Sequence, residues 1–281
     1  METEQIKKFT LKLNRNPESN KYDFGHVLVV AGSKTMPGAG VLCCVAAMRA
    51  GAGLVTYAVE ESFLTAACAM SKPESMFFVY SGAGDIINFV KERKVKAIVL
   101  GPGLLVNGGH LLRFVKKIIR SVNIPVVLDA SALTCLGGKT SMFKKAKAKL
   151  ILTPHAGEFA KLTNTDVIPE GSRRDSVVQK FAKENSLILA LKGHNTVVSD
   201  GDNTYVNDSG TPAMATAGSG DVLSGIIAAF ACIDRDLFES VSFAVWVHGL
   251  AGEAAEEEKG ETSVIASDIV ENICKAVGGI R

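Results

Sequence analysis

The chain has 281 residues, enough for one large domain, and 47% of them are hydrophobic against 21% charged, a balance that supports a sizeable core. Lys and Arg number 31 against 29 Asp and Glu, a formal charge of +2, which argues against a nucleic-acid protein held by a broad cationic field. The 27 glycines cluster without a repeat, which excludes collagen and flexible linkers.

In chain order, the N-terminal METEQIKKFTLKLNRNPES is polar and lacks the apolar stretch of a secretory signal. Residues 1–24 read as an extension ahead of one domain over 25–281. Short β-branched runs then predict strands over 26–33, 54–60, 76–80, 97–101, 125–130, 150–154 and 187–193. Segments with helical spacing lie between them, among them 40–50, 85–93 and 108–121. Continuous apolar strands such as VLVV and AIVL suit a sheet covered by helices on both faces, so the expectation is an α/β architecture with a largely parallel sheet. After Lys192 the rhythm changes. Residues 196–200 and 204–207 flank Gly201-Asp202-Asn203 and read as an antiparallel hairpin. From Gly220 onward the pattern is helical over 222–233, 237–258 and 266–277. Asp236 with Glu239 reads as a helix-starting pair, and Ser172 with Asp175 as another.

The longest nearly apolar run, over 222–233, is too short to span a bilayer, so no membrane association is expected. The six cysteines, at 43, 44, 68, 135, 232 and 274, show no Cys-x-x-Cys spacing. They read as mostly small buried thiols of a soluble, cytoplasmic protein, without a zinc site or disulfide framework.

The standard nucleotide motifs fail. Gly138-Lys139-Thr140 lacks the Walker A glycine at position 133, which is Leu, and neither Gly218-x-Gly220 nor Gly38-x-Gly40 completes the dinucleotide fingerprint. The best anion site is Ala217-Gly218-Ser219-Gly220-Asp221 leading into VLSGIIAAF. Glycines let a backbone approach an anion, and a helix start adds free N–H groups and the positive end of the dipole. That dipole favours the charged form of Asp221. A carboxylate beside a phosphate cradle repels the anion, so its presence points to work on the bound substrate, as a base taking a proton from a hydroxyl. The plain alternative is a helix N-cap after a flexible loop.

Further polar clusters fall at strand ends, where open α/β sheets bind ligands. These are Gly32-Ser33 with Gly38-Ala39, Gly101-Pro102-Gly103, Asp129, Thr153-Pro154-His155-x-Gly157-Glu158 and Lys192-Gly193. Any one could be loop punctuation. Together they suggest one crevice.

Taken in order, GHVLVVAGS, MPGAG, GPGL, VLDASAL, TPHAGEF, LKGHNTVV, MATAGSGDVLSGIIAAF and VHGLAGEAAEE resemble the ADP- or ATP-dependent NAD(P)H-hydrate dehydratases of the ribokinase-like superfamily, over about residues 25–275. The resemblance implies a three-layer αβα sandwich and the nucleotide-dependent dehydration of the S-form of hydrated NADH or NADPH. ADP or ATP would phosphorylate the added hydroxyl, with Mg2+, and elimination would restore the cofactor. Carried over, Asp221 is the catalytic carboxylate. Lys192, Gly193, His194, Asn195 and Thr196 match the nucleotide-binding stretch, with Ala217, Gly218, Ser219 and Gly220 at the phosphates. Ala39, Gly103, His155 and Gly157 match the hydrated-cofactor side, where Asp221 also belongs, and Glu158 stands near the phosphates or their magnesium. No protein metal ligand is assigned.

The departures from the pattern are Ala217 in place of a glycine, tolerable if its φ is negative, Leu105 after GPGL, and Ser131 where a second aspartate is usual. With about 25 residues ahead of the domain, no epimerase domain is expected. A homo-oligomer, commonly a tetramer, is implied, and no nucleic-acid partner. The competing readings are a ribokinase-like small-molecule kinase of hydroxymethylpyrimidine or hydroxyethylthiazole type, which would keep its phosphorylated product, and a nucleotide-binding protein without turnover.

Overall fold

The computed structural model describes residues 15–105, 108–165, 172–233 and 236–278. Its nine strands form one sheet in the order β3-β2-β1-β4-β5-β6-β7-β8-β9. They are β1 (His26–Val30), β2 (Leu54–Val59), β3 (Met76–Val79), β4 (Ala97–Leu100), β5 (Pro125–Leu128), β6 (Lys149–Leu152), β7 (Ile188–Leu191), β8 (Val197–Ser199) and β9 (Thr204–Val206). Pairing is parallel from β3 through β7. It is antiparallel across β7–β8 and β8–β9, with Val197 opposite Val206 and Ser199 opposite Thr204. The expected mixed sheet and hairpin are both present.

The unbroken apolar strands follow from burial on both faces. Val27 and Val29 of β1 point into one core, with Val99, Val127 and Ile151 of neighbouring strands. Leu28 and Val30 point into the other, with Ile98, Leu100, Val126 and Leu128. Four helices cover the first face or pack beside it: α1 (Pro37–Arg49), α8 (Ser219–Ile233), α9 (Leu237–Lys259) and α10 (Ala266–Gly278). The short α2 (Leu64–Met70) adds Ala67 to that core. The second face carries α3 (Ala83–Glu92), α4 (Gly108–Ser121), α5 (Ser131–Thr134), α6 (Ala156–Thr163) and α7 (Ser172–Asn185). Helix α8 lies against α1 at backbone distance: a Cβ on Gly225 would fall 2.3 Å from the Cys43 carbonyl oxygen.

Asp236 caps α9 as the spacing predicted, accepting from the Glu239 N–H at 3.0 Å, and α7 begins at Ser172, whose side chain lies outside the described residues. Strand ends are corrected. The β1, β4 and β7 runs stop before Gly32, Gly101 and Gly193, whose φ values of +75°, +129° and +149° turn the backbone out of the ladder. The cysteine expectation is also corrected: Cys43 and Cys44 are buried, Cys135 and Cys232 intermediate, and Cys68 and Cys274 exposed. Of the N-terminal extension, residues 1–14 lie outside the described residues. Arg15 stacks its guanidinium 4.3 Å from the centre of the Phe24 ring and donates to the Gly51 carbonyl. No helix among the described residues is long and apolar enough to cross a membrane.

Strand order reverses at β1, which has β2 on one side and β4 on the other. An open parallel sheet leaves a crevice at such a switch point, beyond the carboxyl ends of its strands.

Candidate active site

Helix α8 begins in the glycine loop. Gly218 has φ +91°, and a Cβ there would fall 2.6 Å from Leu42 Cδ1, so both the conformation and the contact call for glycine. Ala217 is not among the residues with positive φ, so its methyl is accommodated. Val222 N–H closes back on the Gly218 carbonyl at 3.1 Å. Among the described residues the Gly220 and Asp221 amides ahead of it have no such acceptor, which leaves donors at the positive end of the helix.

Behind this helix head sits a buried charge cluster. Asp129, 1% exposed, follows β5. Its Oδ1 accepts from Lys192 Nζ at 2.8 Å and its Oδ2 from Ser224 Oγ at 2.8 Å. Burial works to lower the Lys192 pKa, but the charge and hydrogen bond of Asp129, with Glu158 and Asp221, outweigh it and raise it. Lys192 therefore stays an ammonium. A Cβ on Gly220 would lie 3.1 Å from its Nζ, which places that cation at the head of α8.

Asp221 departs from the expectation of a readily ionised carboxylate. Burial first, then the charge of Asp129, push its pKa up to about 7, with Lys192 pulling down and Glu158 adding to the rise. The helix dipole is outweighed by desolvation and by neighbouring carboxylates. Among the described residues, no cation closes an ion pair on Asp221.

At the end of β6, His155 is the N-cap of α6. Its Nδ1 accepts from the Gly157 and Glu158 N–H groups at 3.0 and 3.3 Å, while Glu158 Oε2 accepts from the His155 N–H at 2.9 Å. This reciprocal box satisfies the first amides of the helix and leaves the imidazole proton on Nε2. The imidazole side chain is 60% exposed and the Glu158 side chain 8%. Gly157 packs close to the ring that caps the helix: a Cβ there would come within 3.1 Å of His155 Cε1, so the imidazole would have to shift slightly. The Lys192 N–H donates to the Pro154 carbonyl at 2.8 Å and joins the β6 and β7 ends.

Near the switch point the structure brings Ala39 and Gly103 together. Gly103 has φ +66°, and a Cβ on it would meet the Ala39 Cβ at 2.8 Å and the Gly32 Cα at 3.3 Å. Any larger residue would fill the space these three share.

A cleft of about 550 Å³ opens on the other side of the cluster. Lys192, Gly193, His194, Asn195, Thr196, Ser219 and Gly220, all from the stretches expected to bind nucleotide, line it together. Ala217, Gly218, Asp221, Ala39, Gly103, His155, Gly157 and Glu158 lie outside its lining; Asp221 adjoins it through Gly220. The far wall comes from residues without an assigned role in the sequence, among them Asn207, Ser209, Thr211, Met214 and His248. Asn207 accepts from Tyr205 OH at 2.9 Å and donates to the Ser209 carbonyl at 2.8 Å, which ties the hairpin to the loop after it. His248 pairs with Ser219 Oγ at 3.3 Å, and burial lowers its pKa to about 4, so it meets a ligand as a neutral ring. VHGLAGEAAEE marked its segment but gave it no chemistry. Arg174 was invisible in the sequence. Its guanidinium donates to the carbonyls of Leu191, Lys192 and His194 at 2.9, 3.1 and 2.8 Å, and so holds the loop after β7 in place.

Residues 27–275 match the NAD(P)H-hydrate dehydratase family. A bifunctional NAD(P)H-hydrate repair enzyme of Moorella thermoacetica is 36% identical over 268 residues, 92% of this chain and 50% of that protein. The chain thus spans about half the length of the first curated relatives it matches. An ADP-dependent (S)-NAD(P)H-hydrate dehydratase of Neisseria meningitidis is 35% identical over 249 residues, 88% of this chain and 82% of the relative. Among solved structures, the ADP/ATP-dependent NAD(P)H-hydrate dehydratase of Bacillus subtilis, co-crystallised with ATP/Mg2+, superposes with a TM-score of 0.82 at 28% identity, covering 98% of this chain and 97% of that one. A ribokinase-like superfamily protein of Enterococcus faecalis, at 23% identity and TM-score 0.79 over 100% and 95% of the two chains, shares the fold.

Proposed function

Because the chain belongs to the NAD(P)H-hydrate dehydratase family, we propose that it dehydrates the S-form of hydrated NADH or NADPH at the expense of ADP or ATP. The observation that carries this reading is Asp221. Among the described residues it is a carboxyl in no closed ion pair, its pKa raised to about 7 at the head of α8, with an anion cradle and a cleft of about 550 Å³ beside it.

In the first step Asp221 accepts the proton of the hydrate's hydroxyl as its oxygen attacks the terminal phosphorus of the donor. The amides at the head of α8 and the Lys192 ammonium face the phosphoryl oxygens, where charge builds in the transition state. The hydroxyl, a poor leaving group, becomes a phosphate ester. Carbon–oxygen cleavage with loss of a proton from the adjacent carbon then gives the dihydropyridine, phosphate, and AMP or ADP. Thr196 and the wall carrying Asn207 and His248 hold the nucleoside end of the donor.

Magnesium fits this site as a partner of the polyphosphate. Glu158 is a hard oxygen donor whose charge reaches Lys192, and no group of three candidate ligands exists among the described residues, so phosphate oxygens and water would complete the shell. When bound, the ion neutralises phosphate charge.

The test is a product assay. Hydrated NADH is supplied with ATP or with ADP, and NADH absorbance, phosphate and nucleotide are followed together. Equimolar NADH and phosphate support the proposal, and the faster donor identifies the physiological one. A stable phosphorylated alcohol would make the chain a kinase, and bound nucleotide without turnover would make it a binding protein. The homo-oligomer that the resemblance implies is read by light scattering on the eluting protein.

A further inference from the structure

Asp129 is the most deeply buried member of the charge cluster, and it does not line the cleft. Its backbone is pinned. The N–H donates to the Leu100 carbonyl at 3.2 Å, and a Cβ on Gly101 would fall 1.9 Å from its carbonyl oxygen. The next residue, Ala130, has φ +48° and ψ −118°, a conformation an L-residue adopts only where its surroundings force it. Both carboxylate oxygens are committed, one to Lys192 at the end of β7 and the other to Ser224 on α8. Ser224 lies three residues beyond Asp221 and so on the same helix face. Asp129 thereby joins the strand end that carries the cation to the helix that carries the base.

We propose that Asp129 is a positioning residue of the reaction: its carboxylate holds the Lys192 ammonium at the strand ends, so that the cation serves the phosphates and Asp221 is left without a counter-ion. This rests on Asp221 being the base. The charged groups facing Asp221 are Asp129 from the β5 end, Lys192 from the β7 end and Glu158 from α6. Cys43 of α1 also faces it, as a buried thiol whose pKa is raised well above normal and which stays neutral. His248 of α9, also neutral, faces Lys192. Lys192 is thus the one cation in this set, and Asp129 decides which carboxylate it serves. With Asp129 neutral, the flexible ammonium turns to Asp221 and closes a pair on it. The base becomes weaker, and the phosphoryl path loses a donor.

The experiment compares wild type with Asp129→Asn and Asp129→Ser, the second leaving room for a water between Lys192 and Ser224. The readout is the pH dependence of kcat/KM for hydrated NADH at saturating donor, with thermal melts to certify folding. The expected result is an acidic limb moved down by about one pH unit or more, the scale for changing one charge within a few ångströms, together with a lower plateau. The Asp221 carboxyl, identified by NMR from the resonance lost in Asp221→Asn, should titrate lower by the same amount. Lys192→Met should move the limb the other way, because Asp221 then loses the cation that pulls its pKa down. That arm stands if neither Asp129 variant folds. A limb and a carboxyl resonance that stay in place in the Asp129 variants, or a limb unmoved in Lys192→Met, overturn the proposal. A purely structural Asp129 would lower activity at every pH and leave the limb where it was. If Asp221→Asn keeps its activity, the base reading itself fails; if it is inactive while the Asp129 limb is unmoved, only the positioning role fails.

Discussion

Beyond β7 the sheet turns antiparallel, and the β8–β9 hairpin with the loop after it raises a wall of side chains over a cleft of about 550 Å³. Around β1 and β4 the crevice is shaped by the absence of side chains: Gly32, Ala39 and Gly103 leave no room for even one further Cβ among them. The two halves share one sheet edge and meet at the Asp129–Lys192 pair. The difference teaches how one crevice can take two large ligands. A half walled by side chains supplies hydrogen bonds and can be altered residue by residue, whereas a half shaped by glycine is set by backbone approach and tolerates almost no change. The charged groups belong to the border between them, where the reacting atoms of both ligands would meet.

The comparison breaks hardest at that border. Asp221→Asn keeps the size and the helix start but removes the charge. Turnover is expected to fall at least about a hundredfold, the scale for losing a general base, with the donor's KM nearly unchanged. Retention of more than about a third of wild-type turnover would take the proton transfer away from Asp221. The same substitution is expected to stabilise the protein. Burial and the neighbouring carboxylates push the folded carboxyl up to about 7 from its ordinary 3.8, so the folded state binds the proton more tightly, and stability is lost as pH rises between those values. Above that window wild type carries the full penalty and the amide does not. Urea unfolding near pH 8 should therefore favour Asp221→Asn by up to about 4 kcal/mol, about 1.4 kcal/mol for each pH unit of the window, a gain that fades below about pH 4. Equal stabilities at both pH values would mean that the carboxyl is not strained.

Gly220→Val tests the cleft side. Its Cβ would come within 3.1 Å of Lys192 Nζ, displacing the cation while crowding the amides. A donor KM raised about tenfold, near 1.4 kcal/mol, is expected, with the KM for hydrated NADH changed much less. Gly103→Ala should do the reverse: φ +66° strains any L-residue, and the methyl runs into Ala39. A folded Gly220→Val with normal affinity for both donors would place the phosphates elsewhere.

How much of this was legible in the sequence follows from what is local and what is not. VLVV, AIVL and their like announced the central parallel strands, because a strand buried on both faces is apolar along its length; the half-exposed β3 was announced by its apolar MFFV run alone. The hairpin announced itself through Gly201-Asp202-Asn203. The strand ends were read too long, since the positive φ of Gly32 and Gly193 is a matter of where the backbone goes next. The charge state of Asp221 was misread for a deeper reason. A helix dipole is visible in a loop-to-helix motif, but a carboxylate 92 positions earlier that presses on the same site is not. Arg174 and His248 escaped notice similarly: one holds three backbone carbonyls, the other a hydroxyl, and neither lies in a spacing that signals chemistry.

The smallest expected effect separates the two ligands at His155, which has two candidate tasks. As the N-cap of α6 it satisfies two amides, and His155→Ala should cost about 1 kcal/mol of stability. As an exposed imidazole with its proton on Nε2, it can also donate to the hydrated cofactor, and its loss should raise the KM for hydrated NADH several-fold while leaving the donor's unchanged. His155→Asn divides the tasks. Its side-chain oxygen can still cap the helix, so melting should return close to wild type, but its shorter amide does not reach where Nε2 stood, so the raised KM should persist. Thr196→Val is the mirror. The hydroxyl that bonds the Gly193 carbonyl at 3.1 Å lines the cleft, and its removal should raise the donor's KM and spare the hydrate. Each KM has to be taken with the unvaried ligand saturating, since closure of the crevice would couple the two. If His155→Asn restores the KM along with the stability, His155 is a cap alone. If His155→Ala and Thr196→Val each shift both ligands equally, the crevice does not divide into two halves, and the glycine-lined region does no more than shape the fold.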